Sequence, residues 1–234
     1  MGTRRLKKQV FAVLQQPELA RVLDDLRPLP VKETVNALFS AICQVDDRLR
    51  WHGISGMGVM VARLADEDME EARIMMRRLL WSLNDESGGI GWGAPESMAE
   101  IMHYHAGLAR EYIHMLISYT RPDGPELEQD GNFLEHETLQ RGLLWGLDRL
   151  CAARRDLLLE KGLPADIPPY LDSADDVVRG LAVRLCGQLV IDATSERILG
   201  LTKDPATIAL YENGRFLSLT VGEMAARALE ELEC

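Results

Sequence analysis

The chain has 234 residues, with 26 Lys and Arg against 37 Asp and Glu, which gives a formal net charge of −11 at pH 7. Its 47% of hydrophobic residues exclude an intrinsically disordered chain, which carries far fewer apolar side chains. The negative charge argues against nucleic acid or an anionic membrane as a partner. No stretch approaches the ~18 apolar residues of a transmembrane helix. We therefore expect a cytoplasmic protein that does not insert into a membrane.

Helical periodicity runs through most of the chain. Between Arg4 and Leu14, apolar residues recur every three or four positions opposite basic ones, which predicts an amphipathic helix. Pro17 suits the first turn of a second helix, which ends before Pro28. Similar stripes predict six further helices: Val31 to Cys43, Asp46 to Leu64, Asp66 to Leu83, Pro95 to Ser118, Phe133 to Leu159 and Ala174 to Val190. The pattern predicts a mainly α-helical protein.

Two aperiodic segments separate predicted helices in the second half of the chain. Arg121 to Asn132 mixes Pro, Gly and acidic residues, and the wider span Pro122 to Gln140 has six carboxylates without a Lys or Arg. Gly162 to Pro169 is the second break. We interpret the acidic span as a solvated loop, with an acidic partner-binding strip as the alternative.

A β-hairpin is predicted near the C-terminus. Asn213-Gly214 is a preferred central pair of a type I′ turn, because both residues tolerate positive φ. Folding the chain there gives four matched cross-strand pairs: Glu212 with Arg215, Tyr211 with Phe216, Leu210 with Leu217 and Ile208 with Leu219. The sequence Thr220-x-x-Glu223 then predicts a capping box for a final helix.

Four segments of nine residues resemble one another, and they begin at residues 50, 91, 141 and 179. Small residues recur three positions into the segment and again eight positions in. The small residues of this pattern are Gly53, Ala94, Ala182, Gly58, Ala99 and Gly187. Because a small residue lets a neighbouring backbone approach closely, the repetition predicts stacked helix pairs.

The segment Asp175 to Leu189 resembles the second helix of the HEAT-like repeats described in phycobilisome lyases, which reads D-x-x-V-R-x-x-A-x-x-x-L-G-x-L. Asp47 to Gly58 is similar to it. The resemblance implies an all-α fold, a short right-handed α-α superhelix (a HEAT-like solenoid), with a small C-terminal β-hairpin, and it suggests a bacterial origin. It also implies a helical cap over 1–30, degenerate repeats over 31–200, and the hairpin with a capping helix over 201–234.

Residues 81–96 are unusual because four glycines fall within Gly88 to Gly93, just before a predicted helix. Successive backbone N–H groups there would suit an anion such as phosphate or carboxylate. The absence of Lys and Arg between Arg78 and Arg110 favours two alternatives, a tight packing turn or a recognition loop for a protein partner. For the recognition loop, the candidate partner-binding residues are Trp51, Trp81, Asp85, Glu86, Gly89, Trp92 and Glu96.

A metal site is the sharpest enzymatic hypothesis. Glu100 with His103, and Glu111 with His114, repeat the E-x-x-H spacing that places a carboxylate and an imidazole on one helix face. On one straight helix the two pairs would lie ~16 Å apart, which is too far for one metal centre. A shared site therefore requires a turn near Gly107.

The sequence lacks a complete catalytic arrangement of nucleophile and base. We therefore predict a non-enzymatic helical-repeat scaffold or adaptor that binds another protein and needs no cofactor. The alternative is a HEAT-like enzyme that depends on a metal or handles a tetrapyrrole, as the resemblance to the lyases implies. The sequence leaves the oligomeric state open.

Overall fold

The computed structural model describes residues 3–84, 91–124 and 131–233. In these ranges the chain forms eleven α-helices and one two-stranded antiparallel sheet. The helices are α1 (Thr3–Leu14), α2 (Leu19–Leu26), α3 (Val31–Ala41), α4 (Asp47–Glu67), α5 (Met69–Leu83), α6 (Ala94–Tyr104), α7 (Ala106–Ser118), α8 (Glu137–Glu160), α9 (Asp176–Gln188), α10 (Ser195–Leu201) and α11 (Val221–Leu232). The strands are β1 (Thr207–Glu212) and β2 (Arg215–Thr220). The predicted all-α fold with a C-terminal hairpin is confirmed.

Contacts within the chain divide it into two compact units, Met1–Tyr112 and Ile113–Cys234. The boundary falls inside α7. None of the described helices has both the length and the apolar character that crossing a membrane requires.

In the first unit, α3 and α4 form an antiparallel pair. A Cβ atom on Gly53 would touch Ala41 at the end of α3, and Arg63 near the end of α4 donates to the carbonyl oxygen of Leu29 at 3.3 Å, just before α3 begins. The side chain of Asp46 accepts a hydrogen bond from the backbone N–H of Leu49 at 2.9 Å and so caps the start of α4.

Helices α4 and α6 run in the same direction. Gly93, the N-cap residue of α6, packs on Ile42 just before α4, and Glu100 in α6 packs on Gly58 in α4. The first two repeat segments therefore lie side by side on parallel helices. The core around them contains these large, fully buried residues: Ile54, Met57, Met60, Leu64, Met76, Leu79, Met98, Ile101 and Met102.

In the second unit, α8, α9 and α11 also run parallel. Two ion pairs join α8 to α9. Arg141 pairs with Asp175 near the start of both helices, and Asp148 pairs with Arg184 further along both of them. Gly180 on α9 packs on Met224 of α11, and Gly187, further along α9, packs on Ala228, further along α11. Helices α9 and α11 therefore run in the same direction. The last two repeat segments thus lie on neighbouring parallel helices, as the predicted stacking requires.

The hairpin has the predicted register, with all four of the expected pairs. Asn213 and Gly214 have φ of 48° and 87°, as a type I′ turn requires. The indole Nε1 of Trp145 on α8 donates to the carbonyl oxygen of Tyr211 at 2.8 Å, which holds β1 against this helix. The predicted capping box of Thr220 and Glu223 is confirmed.

Two predicted helix boundaries were wrong. The single helix expected from Pro95 to Ser118 breaks at His105, whose Nδ1 accepts the backbone N–H of Leu108 at 3.0 Å and starts α7. The helix expected from Phe133 begins at Glu137 instead, because the side chain of His136 accepts the backbone N–H of Thr138 at 3.2 Å. Of the acidic break, residues 125–130 lie outside the described residues.

Candidate functional site

The predicted partner-binding residues lie in different environments. Trp81 on α5 is 76% exposed, whereas Trp51 on α4 and Glu96 on α6 are each 8% exposed. Trp92 is half-buried. Trp51 and Glu96 are therefore largely buried, and their role in partner binding stays a prediction. Three further candidates lie outside the described residues: Asp85, Glu86 and Gly89.

The local sequence places Glu96 in the first turn of α6. Gly93 adopts a left-handed conformation with φ of 75° as the N-cap residue, and Pro95 follows within the first turn. As a glycine, Gly93 has no side chain with which to cap this helix start. Because α4 runs parallel to α6, the beginning of α4 lies beside this turn, and the charge of Arg50 acts on Glu96.

Several buried polar atoms belong to residues near the starts of α4 and α6. Four of them find no hydrogen-bond partner in the part of the chain that the structure describes: Arg50 Nε, Trp92 Nε1, Glu96 Oε2 and Ser97 Oγ. Buried polar groups are normally paired, and each one left unpaired costs about 1–3 kcal/mol.

Burial raises the pKa of the Glu96 carboxyl to about 7, although its own backbone N–H and the positive charge of Arg50 act in the opposite direction. Glu96 therefore exchanges between the neutral and the charged form near neutral pH. Arg50 also donates from Nη2 to Asp47 Oδ1 at 2.8 Å, and its guanidinium lies 5.6 Å from the centre of the Trp51 ring. These two contacts hold the guanidinium at the start of α4.

The predicted metal ligands are not assembled into a centre. Glu100 is buried against Gly58, whereas Glu111 lies on α7 beyond the break in the helix. His103 is half-buried with its ring edge-on to Tyr104, and His114 is exposed. Among the described residues, no group of three or more His, Cys, Asp or Glu side chains could hold a metal ion.

Glu111 is instead part of an ion pair between α5 and α7. Arg73 donates to both of its carboxylate oxygens, from Nε at 2.8 Å and from Nη2 at 2.7 Å. This two-bond contact holds the pKa of Glu111 below its usual range. Both oxygens of Glu111 are thus already engaged by a guanidinium.

The exposed side of α5 carries the largest exposed aromatic residue of the described chain. Trp81 and Ile74 are seven residues apart and so share a helix face, with Arg77 exposed between them. We call Ile74, Arg77 and Trp81 the α5 face. Beside it, the guanidinium of Arg78 lies 4.0 Å from the centre of the Phe39 ring, a distance typical of a cation–π contact.

Sequence reasoning missed the buried polar atoms of Arg50 and Ser97. The repeat pattern contained a usable signal for Arg50, because it aligned Trp51 with Trp92 at adjoining helix starts. The sequence contained no equivalent signal for Ser97, since a serine inside a helix is common on buried and exposed faces alike.

No protein-family model matches the chain, and a search of curated proteins also found no match. Solved structures do match. An engineered protein from a structural genomics consortium has a TM-score of 0.53 at 12% identity, covering 97% of this chain and 96% of its own. A designed armadillo repeat protein has a TM-score of 0.52 at 15% identity, and the match covers 96% of this chain and 98% of that protein. A second engineered protein from the same consortium has a TM-score of 0.51 at 12% identity, and the match covers 97% of this chain and 98% of that protein.

These likenesses concern the fold alone, because the identities are low. Together with the parallel helices of each unit, they show that the chain has a helical-repeat fold. The phycobilisome-lyase type of HEAT repeat and the bacterial origin stay predictions.

Proposed function

We propose that the protein is a non-enzymatic scaffold that binds another protein through the α5 face. The observation that carries this proposal is the 76% exposure of Trp81 on a regular helix. Tryptophan is enriched among the residues that dominate binding energy at protein interfaces. An indole held in water on a rigid helix gains a large buried apolar area when a partner covers it.

The surroundings of Trp81 support an interface with an apolar centre and a polar rim. Ile74 extends the apolar surface along α5, and Arg77 lies exposed between the two. Interfaces combine such features, because the centre excludes water while charged groups stay at the edge. The partner surface that fits this face is an apolar pocket large enough to accept an indole.

The fold supports the same function. Stacked helix pairs expose extended surfaces that repeat proteins use for binding, and the fold resembles that of a designed armadillo repeat protein. The net charge of −11 disfavours nucleic acid and anionic membranes as partners. We therefore propose a cytoplasmic protein partner and no cofactor.

The test compares proteins captured from a lysate of the native cells by three tagged forms of the full chain. These are the wild type, Trp81→Ala and the control Val45→Ala, which truncates another exposed apolar residue, 88% exposed in the same unit. We expect a partner that the wild type and Val45→Ala retain and that Trp81→Ala loses by at least tenfold.

Equal recovery of every partner by Trp81→Ala and the wild type would contradict the role of the α5 face. Both variants should keep the wild-type melting temperature, because neither side chain is part of the core. Melting curves therefore separate a lost contact from a lost fold.

A further inference from the structure

Arg78 on α5 holds its guanidinium in a fixed position at the surface. Its Nη1 donates to the side-chain oxygen of Asn36 on α3 at 2.9 Å, and the guanidinium lies 4.0 Å from the centre of the Phe39 ring. Nη1 also lies 3.4 Å from the sulfur of Met75, which is a weak acceptor. Because the side chain as a whole is exposed, these contacts fix a charged group that a partner can reach.

The other edge of the same guanidinium is open. In the part of the chain that the structure describes, Nη1 makes all the hydrogen bonds of this side chain, and no carboxylate there forms an ion pair with it. Nε and Nη2 are thus available, and we call these two nitrogens the open edge of Arg78. A pair of parallel N–H groups on a guanidinium binds both oxygens of one carboxylate.

Arg73, on the same helix, makes the contact that Arg78 lacks. Its Nε donates to one oxygen of Glu111 at 2.8 Å and its Nη2 to the other at 2.7 Å, and these are the two nitrogens that are open in Arg78. Arg77 is also engaged, because its Nη2 donates to Glu70 at 2.7 Å. Of the three arginines on α5, Arg78 is therefore the one without a carboxylate among the described residues.

Arg78 borders the apolar part of the α5 face. It follows Ile74 by four residues and precedes Trp81 by three, and residues at these spacings are neighbours on a helix surface. Successive helix residues turn by about 100°, so Arg77 and Arg78 lie on opposite sides of the line from Ile74 to Trp81. A partner that covers Trp81 therefore also covers Arg78.

The charges of this surface favour one carboxylate on the partner. Arg78 is always protonated, and a partner that covered it without a counter-charge would remove water from the guanidinium and give nothing in return. A phosphate would carry a second negative charge, for which α5 offers no free arginine, since Arg73 and Arg77 are already paired. One open edge matches the two oxygens of one carboxylate.

We propose that the partner carries an Asp or Glu side chain at the rim of the pocket that accepts Trp81, and that this carboxylate binds the open edge of Arg78. The inference rests on the proposed function, because it concerns the same α5 face, and it names the chemistry of the partner. Asn36 and Phe39 already hold the guanidinium in place, so binding loses little of its freedom. A partner with a basic residue at that position is rejected.

The probe for the test is a phage library of random peptides, each fused to the coat protein through its C-terminus so that only side chains can supply a carboxylate. The library is selected on the full chain, and peptides that also bind Trp81→Ala are removed. The remaining peptides therefore need the α5 face. We expect them to be enriched in Asp or Glu beside apolar residues, whereas a parallel selection on Arg78→Gln should show no such enrichment.

Affinities of the selected peptides, synthesised with an amidated C-terminus, separate the open edge from the charge alone. Arg78→Gln should lose about fivefold in affinity. Arg78→Lys should lose nearly as much, because lysine keeps the charge but lacks the second nitrogen of the edge. Arg48→Gln, the same charge change at another exposed position of the first unit, should bind as the wild type does. Peptides with the acidic residue replaced by its amide should bind the wild type and Arg78→Gln equally.

The possible failures are distinguishable. Peptides that need Trp81 but lack acidic residues, or that bind Arg78→Gln or Arg78→Lys as tightly as the wild type, would overturn the carboxylate contact and leave the α5 face as a binding surface. If no peptide survives the removal step, the α5 face itself fails, and the inference fails with it. The composition of the peptides selected on the wild type needs no Arg78 variant, so a variant that fails to fold does not remove the test.

Discussion

Gly58 on α4 lies directly against Glu100 on α6. A Cβ atom built on Gly58 would lie 2.8 Å from the Cβ atom of Glu100 and 3.0 Å from its carbonyl carbon, whereas carbon atoms in favourable contact are about 3.5–4.0 Å apart. The two parallel helices therefore approach at a distance that requires glycine. Gly187 on α9 lies equally close to α11, because a Cβ atom built on Gly187 would lie 2.8 Å from the Cα atom of Ala228.

Replacing Gly58 with alanine should destabilise the protein by about 1–3 kcal/mol, because the added methyl group forces α4 and α6 apart. Urea denaturation measures the change. The control is Gly200→Ala in α10, where no described atom lies within 4 Å of the added carbon. Alanine is the better helix former, so this control should be neutral or slightly stabilising. Equal stability of Gly58→Ala and the wild type would contradict the close helix contact.

Asp148 in the second unit is the buried partner of Arg184. Arg184 donates from Nε to Oδ1 at 3.0 Å and from Nη2 to Oδ2 at 3.1 Å, and Gln188 Nε2 donates to Oδ1 at 2.9 Å. Asp148→Ala should lower the free energy of unfolding by about 1–3 kcal/mol, since it leaves Nε of the largely buried Arg184 and the amide of Gln188 without an acceptor, and only Glu212, at 3.0 Å from Nη2, still pairs with the guanidinium. Asp24→Ala breaks an exposed ion pair with Arg27 and should have little effect. Similar losses in the two variants would mean that burial adds nothing to the Asp148 contact.

The sequence predicted most of the fold, because the information lies in local patterns. The register of the hairpin follows from Asn213-Gly214 and from side-chain pairs that match on both strands. The repeat pattern found α4, α6, α8 and α9 before any contact was known. The break at His105 was missed, because a histidine side chain that accepts a backbone N–H leaves no trace in hydrophobic periodicity.

The site was predicted less well. The segment containing Trp92 and Glu96 was predicted to bind a partner, but the burial of Trp51 and Glu96 was not predicted. Periodicity distinguishes the two faces of one helix, whereas the burial of these residues depends on a second parallel helix, one repeat away. The position of Arg50 near Glu96 depends on the same contact between α4 and α6. The exposure of Trp81 also depends on how α5 packs against the other helices, which periodicity does not show.

The start of α11 depends on the capping box of Thr220 and Glu223. Thr220 Oγ1 accepts the backbone N–H of Glu223 at 3.1 Å, and Glu223 Oε2 accepts the backbone N–H of Thr220 at 2.7 Å. Thr220→Ala should destabilise the protein by about 1 kcal/mol. Ser218→Ala, at an exposed position of β2, is the control and should leave the melting temperature unchanged. A melting temperature of Thr220→Ala equal to that of the control would show that the box does not stabilise the helix start.

The stability of the protein should fall as the pH rises towards 7, because of Glu96. Its carboxyl has a pKa of about 7 in the folded chain against an ordinary value of 4.5, so between these values the folded state holds a proton that the unfolded state has released. The stabilisation is fully present below pH 4.5 and is lost by about pH 7, a change of about 3 kcal/mol.

Urea denaturation at intervals from pH 4.5 to 8 isolates this contribution when the wild type is compared with Glu96→Gln. The free energy of unfolding of the wild type minus that of the variant should decrease with rising pH and level off above 7, since glutamine does not titrate. Glu33→Gln, which removes an exposed carboxylate of the same unit, serves as the control for the loss of one surface charge. A difference for Glu96→Gln that stays constant or increases with pH would mean that Glu96 is charged in the folded protein. It would then need a counter-charge closer than Arg50, because an ionised carboxylate without a partner is too costly to bury.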